Sequence, residues 1–206
     1  MGAYEPITDG TSTVYVHRAN TPDQVARAAA NGWGIEVDAR SLDGTLFAAH
    51  DAHFDPERCP KLESLLAGFS GPLILDFKES GIVDHAVRSL ECAHVPLSRV
   101  LAADLIVPDM LRAEKLGLRT LARTSRYERI EGPCYGGWLD YVRDTDDLPI
   151  SVRHGYLVSP ELHGWQLEDL FIDYTRYLGF EGVCTDYPER WAHDRRRHEQ
   201  RTQVSA

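Results

Sequence analysis

The sequence predicts an α/β protein built as a (β/α)8 TIM barrel, with a β-hairpin arm after the second strand. Three observations predict it. Eight short apolar runs recur along the 206 residues, and helical patterns or capping signals lie between most of them. No glycine-rich phosphate loop is present, such as a doubly wound sheet usually carries. The length favours one domain and lies near the lower size limit of this barrel.

The elements follow in order. The strands read as Thr13–His17, Gly34–Asp38, Leu73–Phe77, Val100–Leu105, Arg119–Arg123, Trp138–Val142, Tyr156–Ser159 and Gly182–Thr185. Thr21-Pro22-Asp23-Gln24 gives an N-cap, an N1 proline and a capping-box glutamine before the helix Val25–Ala30, which Asn31-Gly32 ends. Leu62–Leu66, Ile82–Leu90, Pro108–Leu116 and Leu167–Leu178 are the other helices, and Gly117 stops the fourth of the five. Leu46–His50 follows Ser41-Leu42-Asp43-Gly44. The Asp-Gly pair marks a hairpin, so this run is an arm folded back on the second strand. Residues 1–192 form one domain, and residues 193–206 form a polar C-terminal tail.

Composition removes several functions. The net charge is −10, which repels nucleic acid and anionic lipid. The basic run Arg195-Arg196-Arg197 is too short to make a nucleic-acid surface. No apolar stretch approaches the roughly 20 residues of a membrane helix. Met1 to Gly10 has no apolar core, so it is no signal peptide. The four cysteines are scattered and form no CxxC pair. A reduced, cytoplasmic protein is the expectation, free of nucleic acid and of transmembrane segments.

In such a barrel the active site lies at the C-terminal strand ends. Polar residues gather there: His17-Arg18, Glu36, Asp38, His50-Asp51, Asp76, Lys78, Asp104, Arg123, Ser125, Asp140, Glu161 and Asp186. Glu36 and Asp38 stand two apart on one strand and share a face. Two carboxylates so close repel unless a cation lies between them, and a hard divalent ion, Mg²⁺ or Ca²⁺, suits them. Asp76 and Lys78 repeat the spacing one strand over, so Asp76 offers a third oxygen. The plain alternative is a set of solvated strand ends. His17 and His50 each follow an apolar strand and precede a polar residue, and two histidines at one mouth can share acid and base work. His53, His85, His94, His154, His193 and His198 read as structural or exposed.

His17-Arg18, Gly34-Ile35-Glu36-Val37-Asp38, Asp43-Gly44 and Ala49-His50-Asp51 resemble the HR, ExD, DG and HD pattern of the glycerophosphodiester phosphodiesterases. Cys184-Thr185-Asp186-Tyr187-Pro188 is similar to that family's closing TDxP. The broader group is the phosphatidylinositol-phospholipase-C-like barrel phosphodiesterases. The resemblance spans Val14 to Trp191. It implies that His17 and His50 are the catalytic pair, that Glu36 and Asp38 hold one divalent cation, and that Arg18 and Lys78 contact the phosphate; Asp76 joins the metal set by its spacing. Two departures are visible. The family usually carries glutamate where Asp76 stands, and a sizeable insertion after HD that this chain lacks. Arg123–Glu128, Trp138–Asp140 and Ser159–Gly164 look like a short branch of the family with its own substrates.

The expected activity is hydrolysis of a small phosphodiester, glycerophosphodiester-like or other, in the chemistry of lipid metabolism. Three acids, one divalent cation, Arg18 and Lys78 leave the site net positive, so it attracts a phosphodiester within an acidic protein. Trp138 is a further substrate-binding candidate, by stacking. The rival reading is a non-catalytic or weakly active module on a decayed phosphodiesterase barrel that binds phosphate or a phosphosugar. An amidohydrolase would need an HxH pair, which His17-Arg18-Ala19 lacks. A phosphosugar isomerase would want a glycine loop where Ser159-Pro160-Glu161 stands. With so little chain to spare, the mouth should be open or closed by a second copy in a homo-oligomer.

Overall fold

The structure is a computed structural model, and it describes residues 13–125, 127–128, 134–140, 154–165 and 180–192. The strands are β1 (Thr13–Val16), β2 (Gly34–Leu42), β3 (Thr45–Ala48), β4 (Leu73–Phe77), β5 (Val100–Ala103), β6 (Arg119–Thr124), β7 (Gly136–Leu139), β8 (Gly155–Val158) and β9 (Gly182–Thr185). Helices α1 (Pro22–Asn31), α2 (Leu62–Leu66), α3 (Val83–Cys92) and α4 (Val107–Lys115) lie between strands. Parallel pairing runs β1-β9-β8-β7-β6-β5-β4-β2, and β1 pairs with β2 to close an eight-stranded ring. β3 pairs antiparallel to β2 alone and lies outside the ring, as the Asp43-Gly44 turn requires.

Most boundaries fall within a residue or two of the sequence reading. The second strand is the exception: it runs four residues past the expected Asp38 to Leu42, because Ala39–Leu42 pair with β3. The strand expected at Val100–Leu105 stops two residues early, at Ala103, because Asp104 turns left-handed, at φ 60°. Asp140 follows β7 rather than lying on it, and residues 141–142 of the expected strand lie outside the described residues. So do the helix Leu167–Leu178, Met1–Gly10 and the tail 193–206.

Local chemistry explains the helix ends. Thr21 and Gln24 form the reciprocal capping box around Pro22, and Gly32 takes the left-handed C-cap position at φ 68°, where a side chain would be strained. Val25 and Ala28 then bury one face of α1 against the sheet.

Strand alternation divides the core into two layers. Ile35, Val37, Leu139, Leu157 and Val183 point outward into the layer beneath the helices. Their neighbours Trp138, Tyr156, Val158 and Cys184 point inward, with Tyr15, Ile74, Leu101 and Leu121. The barrel is therefore a packed core with a working mouth at its C-terminal rim, not a pore. Among the described residues, no helix is long and apolar enough to cross a membrane, and all four cysteines are free thiols.

Candidate active site

The inward positions of β2 and β4 build the centre. Glu36 and Asp38 take the inward turns between Ile35, Val37 and Ala39. Asp76 of β4 is the register partner of Asp38. All three are buried, at 1%, 0% and 5% exposure, where unpaired carboxylates are costly. Oxygens from the three lie within 4.8 Å of one another, so the set can hold a metal ion.

Each acid is fixed through one oxygen and leaves the other without a hydrogen-bond partner. Glu36 Oε2 accepts from the Arg18 backbone N–H at 2.6 Å. Asp38 Oδ2 accepts from Asn20 Nδ2 at 2.7 Å, and Asn20 Oδ1 accepts in turn from the Asp38 N–H at 3.1 Å. Asp76 Oδ2 accepts from Lys78 Nζ at 2.6 Å. Glu36 Oε1, Asp38 Oδ1 and Asp76 Oδ1 are buried and accept no hydrogen bond. Lys78 Nζ is 3.3 Å from Asp38 Oδ1, close enough for an ion pair but not placed to donate. Three carboxyl oxygens without hydrogen bonds are a donor set that fits a hard divalent cation. The shorter aspartate at position 76 therefore still contributes an oxygen to the set.

The electrostatics agree. Burial, then Asp38 and Asp76, drive the Glu36 carboxyl well above the usual range. Burial and Asp104 push Asp76 up to about 7, against the opposing pull of Lys78. Burial disfavours the Lys78 ammonium, but Asp76, Asp38 and Asp104 outweigh it and hold its pKa above the ordinary lysine value. Lys78 is thus engaged with three carboxylates, at 2.6, 3.3 and 3.7 Å.

The two histidines stand at the same mouth. His17 Nδ1 lies 2.8 Å from Asp186 Oδ1, so Nδ1–H donates and Nε2 keeps its lone pair. Burial lowers the His17 pKa, and Asp186 offsets only part of that. His50 Nδ1 lies 2.9 Å from Asp51 Oδ1, and His50 Nε2 accepts from Arg18 Nη2 at 2.6 Å. The arm places it: the Ala49 N–H donates to Asp38 O at 3.2 Å, and Arg40 Nε donates to His50 O at 2.7 Å. Arg18 has a left-handed backbone, φ 47°, which directs its N–H to Glu36 while its guanidinium reaches His50.

The wall beyond Lys78 carries further groups that the sequence left without roles. Arg123 Nε donates to Asp104 Oδ1 at 2.8 Å, and Arg123 Nη1 lies 3.2 Å from Asp140. His163 Nε2 lies 3.0 Å from the other oxygen of Asp140. Glu161 accepts from Ser159 Oγ, from Thr185 Oγ1 and from the Asp186 N–H at 3.2 Å. Trp191 Nε1 donates to Ser159 Oγ at 3.2 Å and extends that chain. Glu161 therefore fixes the turn that presents Asp186 to His17. Trp138 is a buried barrel tryptophan, 4% exposed, with part of its surface on the cavity.

A cavity of about 250 Å³ joins these parts, with His17, Arg18, Glu36, His50, Asp76 and Lys78 on one side. Asp104, Arg123, Trp138, Asp140, Leu162 and His163 line the other. All the site residues expected from the sequence gather here except Asp38, which adjoins the cavity through the acid cluster. His85 and His154 are structural: His85 donates to Gly44 O at 3.1 Å, and His154 pairs with Glu181 at the opposite barrel end.

No family model matches the sequence, and no curated protein matches it. Solved structures do match. A glycerophosphodiester phosphodiesterase from Parabacteroides distasonis aligns over 91% of this chain and 98% of its own, with TM-score 0.67 and 16% identity. The fold is that of the glycerophosphodiester phosphodiesterases. A second, from Agrobacterium tumefaciens, has TM-score 0.54 and 12% identity over 86% of this chain and 98% of its own. A glycerophosphoryl diester phosphodiesterase from Parabacteroides distasonis has TM-score 0.57 and 15% identity over 90% and 86%. The likeness in sequence is low, so it carries the fold, while the activity rests on the chemistry of the site.

Proposed function

We propose that the protein is a phosphoric diester hydrolase acting on a small phosphodiester at this mouth. The observation that carries the reading is the set of three buried carboxylates, each fixed through one oxygen and leaving the other without a hydrogen bond, beside two carboxylate-oriented histidines. The fold shared with glycerophosphodiester phosphodiesterases supports it.

Glu36, Asp38 and Asp76 would hold one divalent cation, Mg²⁺ or Ca²⁺, which when bound offsets charge on the phosphoryl oxygens. Arg18 and Lys78 add positive charge at the same place. His17 is the base. Burial keeps it neutral, and Asp186 leaves Nε2 ready to take a proton from the attacking hydroxyl of water or of the substrate. The new oxygen–phosphorus bond forms as the bond to the leaving alcohol breaks. When Arg18 turns from His50 Nε2 to the phosphate, that nitrogen takes up a proton from solvent and gives it to the leaving oxygen, with Asp51 held on Nδ1–H. A substrate hydroxyl as nucleophile yields a cyclic phosphate, and water yields the monoester.

The test is turnover of bis(p-nitrophenyl) phosphate with Mg²⁺ and with Ca²⁺. Chelator should abolish turnover and either metal should restore it. Undiminished turnover in chelator would remove the metal from the reading, and silence with every divalent metal tried would sink the reading itself.

A further inference from the structure

The hydrolytic chemistry uses only one side of the cavity. The other side is built from three segments, at Arg123, at Trp138 to Asp140 and at Leu162-His163, with Asp104 beneath them. We infer, resting on the phosphodiester reading, that this side holds the diester's second substituent, and that the substituent is an uncharged sugar or sugar-like polyol.

Charge decides against the other classes. A second phosphate or carboxylate would meet Asp104 and Asp140, which already share Arg123. A quaternary or primary ammonium group would find both acids already ion-paired, Asp104 to Arg123 and Asp140 to Arg123 and His163, and has no acceptor to offer those donors. An acyl chain would bury Arg123, Asp104, Asp140 and His163 against hydrocarbon, with no water to solvate them. Hydroxyl groups suit all four, since each hydroxyl both donates to a carboxylate and accepts from a guanidinium or imidazole N–H.

The wall is also preorganised for such a ligand. Asp140 and His163 side chains are 8% and 7% exposed and hold each other at 3.0 Å. Arg123 is fixed by Asp104, Asp140 and, at 3.6 Å, Glu128. Fixed, partly desolvated charges make stronger hydrogen bonds to hydroxyls than mobile surface groups do. Trp138 and Leu162 supply an apolar backing for the C–H face of a ring. The cavity of about 250 Å³ is small beside the roughly 300–1,000 Å³ of drug-sized sites, which suits a phosphoryl group and one small polyol.

The experiment is calorimetric binding to the full chain with saturating Ca²⁺, using glucose 1-phosphate, ethyl phosphate and phosphocholine as probes. Glucose 1-phosphate should bind at least about tenfold tighter than either of the others, about 1.4 kcal/mol. Asp140→Asn and His163→Gln should each bring the ratio to ethyl phosphate toward one. Two variants are used because either may unfold, and a thermal melt of each identifies one that does. Equal, weaker or undetectable binding of glucose 1-phosphate overturns the inference. So does an unchanged ratio in a folded variant. These results read only the second side of the cavity. Failure of the hydrolytic reading shows separately, as silence toward bis(p-nitrophenyl) phosphate.

Discussion

The two ends of the barrel hold similar materials and finish them differently. At the N-terminal end Tyr135 stacks on His154 at 4.4 Å, Arg119 covers Tyr135 at 4.9 Å, and His154 and Tyr156 both bond to Glu181. The chain makes room for this plug by omitting side chains: a Cβ on Gly136 would lie 2.3 Å from the His154 carbonyl oxygen. At the C-terminal end the polar groups are as deeply buried, yet three carboxylate oxygens end without a hydrogen bond. A polar network that serves only folding closes on itself. One that serves a ligand leaves valences that the ligand must complete.

That contrast can be broken most sharply at the histidines. His17→Ala or His50→Ala should lower kcat toward a phosphodiester by about 10²–10⁴-fold. His154→Ala should leave kcat within a few-fold and instead lower the melting temperature, because Glu181 loses a buried partner at a cost of about 1–3 kcal/mol. Equal kcat losses at both ends would erase the distinction.

The acids give the next largest effect, and its sign is opposite to that of ordinary core substitutions. Glu36→Gln should raise the melting temperature of the metal-free protein, because folding no longer has to protonate an acid, or bury its charge, beside Asp38 and Asp76. Each kcal/mol so relieved corresponds to about 2–4 °C in a chain of this size. The same variant should lose the melting shift that Ca²⁺ or Mg²⁺ gives the wild type. A variant less stable without metal, or one that keeps the metal shift, would return Glu36 to a structural role.

The pH dependence of that shift sharpens the point. Asp76 carries its proton up to about 7 in the fold but only to about 3.8 when exposed. The folded state holds a proton that the unfolded state has released, so this group makes the metal-free protein less stable as pH rises through that window. A divalent cation replaces the proton. The metal-induced shift should therefore grow from pH 5 to pH 8 in thermal melts, and a flat dependence would contradict the ligand assignment.

Smaller effects test the frame. Gly136→Ala should cost about 1–3 kcal/mol, because the clash is with a backbone carbonyl that cannot swing aside. Its folded fraction should keep wild-type kcat/KM. Thr21→Ala should cost about 1 kcal/mol through the lost capping box, read by denaturant unfolding.

Much of the frame was legible because it is written in adjacent residues. The capping box of α1, the Asp43-Gly44 turn and the spacing of Glu36 and Asp38 each lie within a few positions. What escaped was written across the chain. His17 meets Asp186 across the barrel seam, and Asp140 meets His163 only when two loops are brought over one mouth. Asn20 belongs to no motif, yet the fold has it holding Asp38 from two directions. The left-handed turns at Arg18 and Asp104 have no glycine to announce them, since what fixes them is the hydrogen bonding and ion pairing they make possible.

The seam itself has a consequence for how the protein is made. β1 pairs with its sequence neighbour β2 on one side and with β9 on the other, so the ring closes only when the residues at 13–16 meet those at 182–185. This is the most sequence-distant pairing in the sheet, and such contacts form late because they carry the largest loop-closure cost. The His17–Asp186 pair lies immediately beyond that seam. During synthesis His17 thus stays unoriented until the last barrel strand has emerged and docked. Recovery of turnover after dilution from denaturant should lag the recovery of helical signal, making catalysis a clock for ring closure.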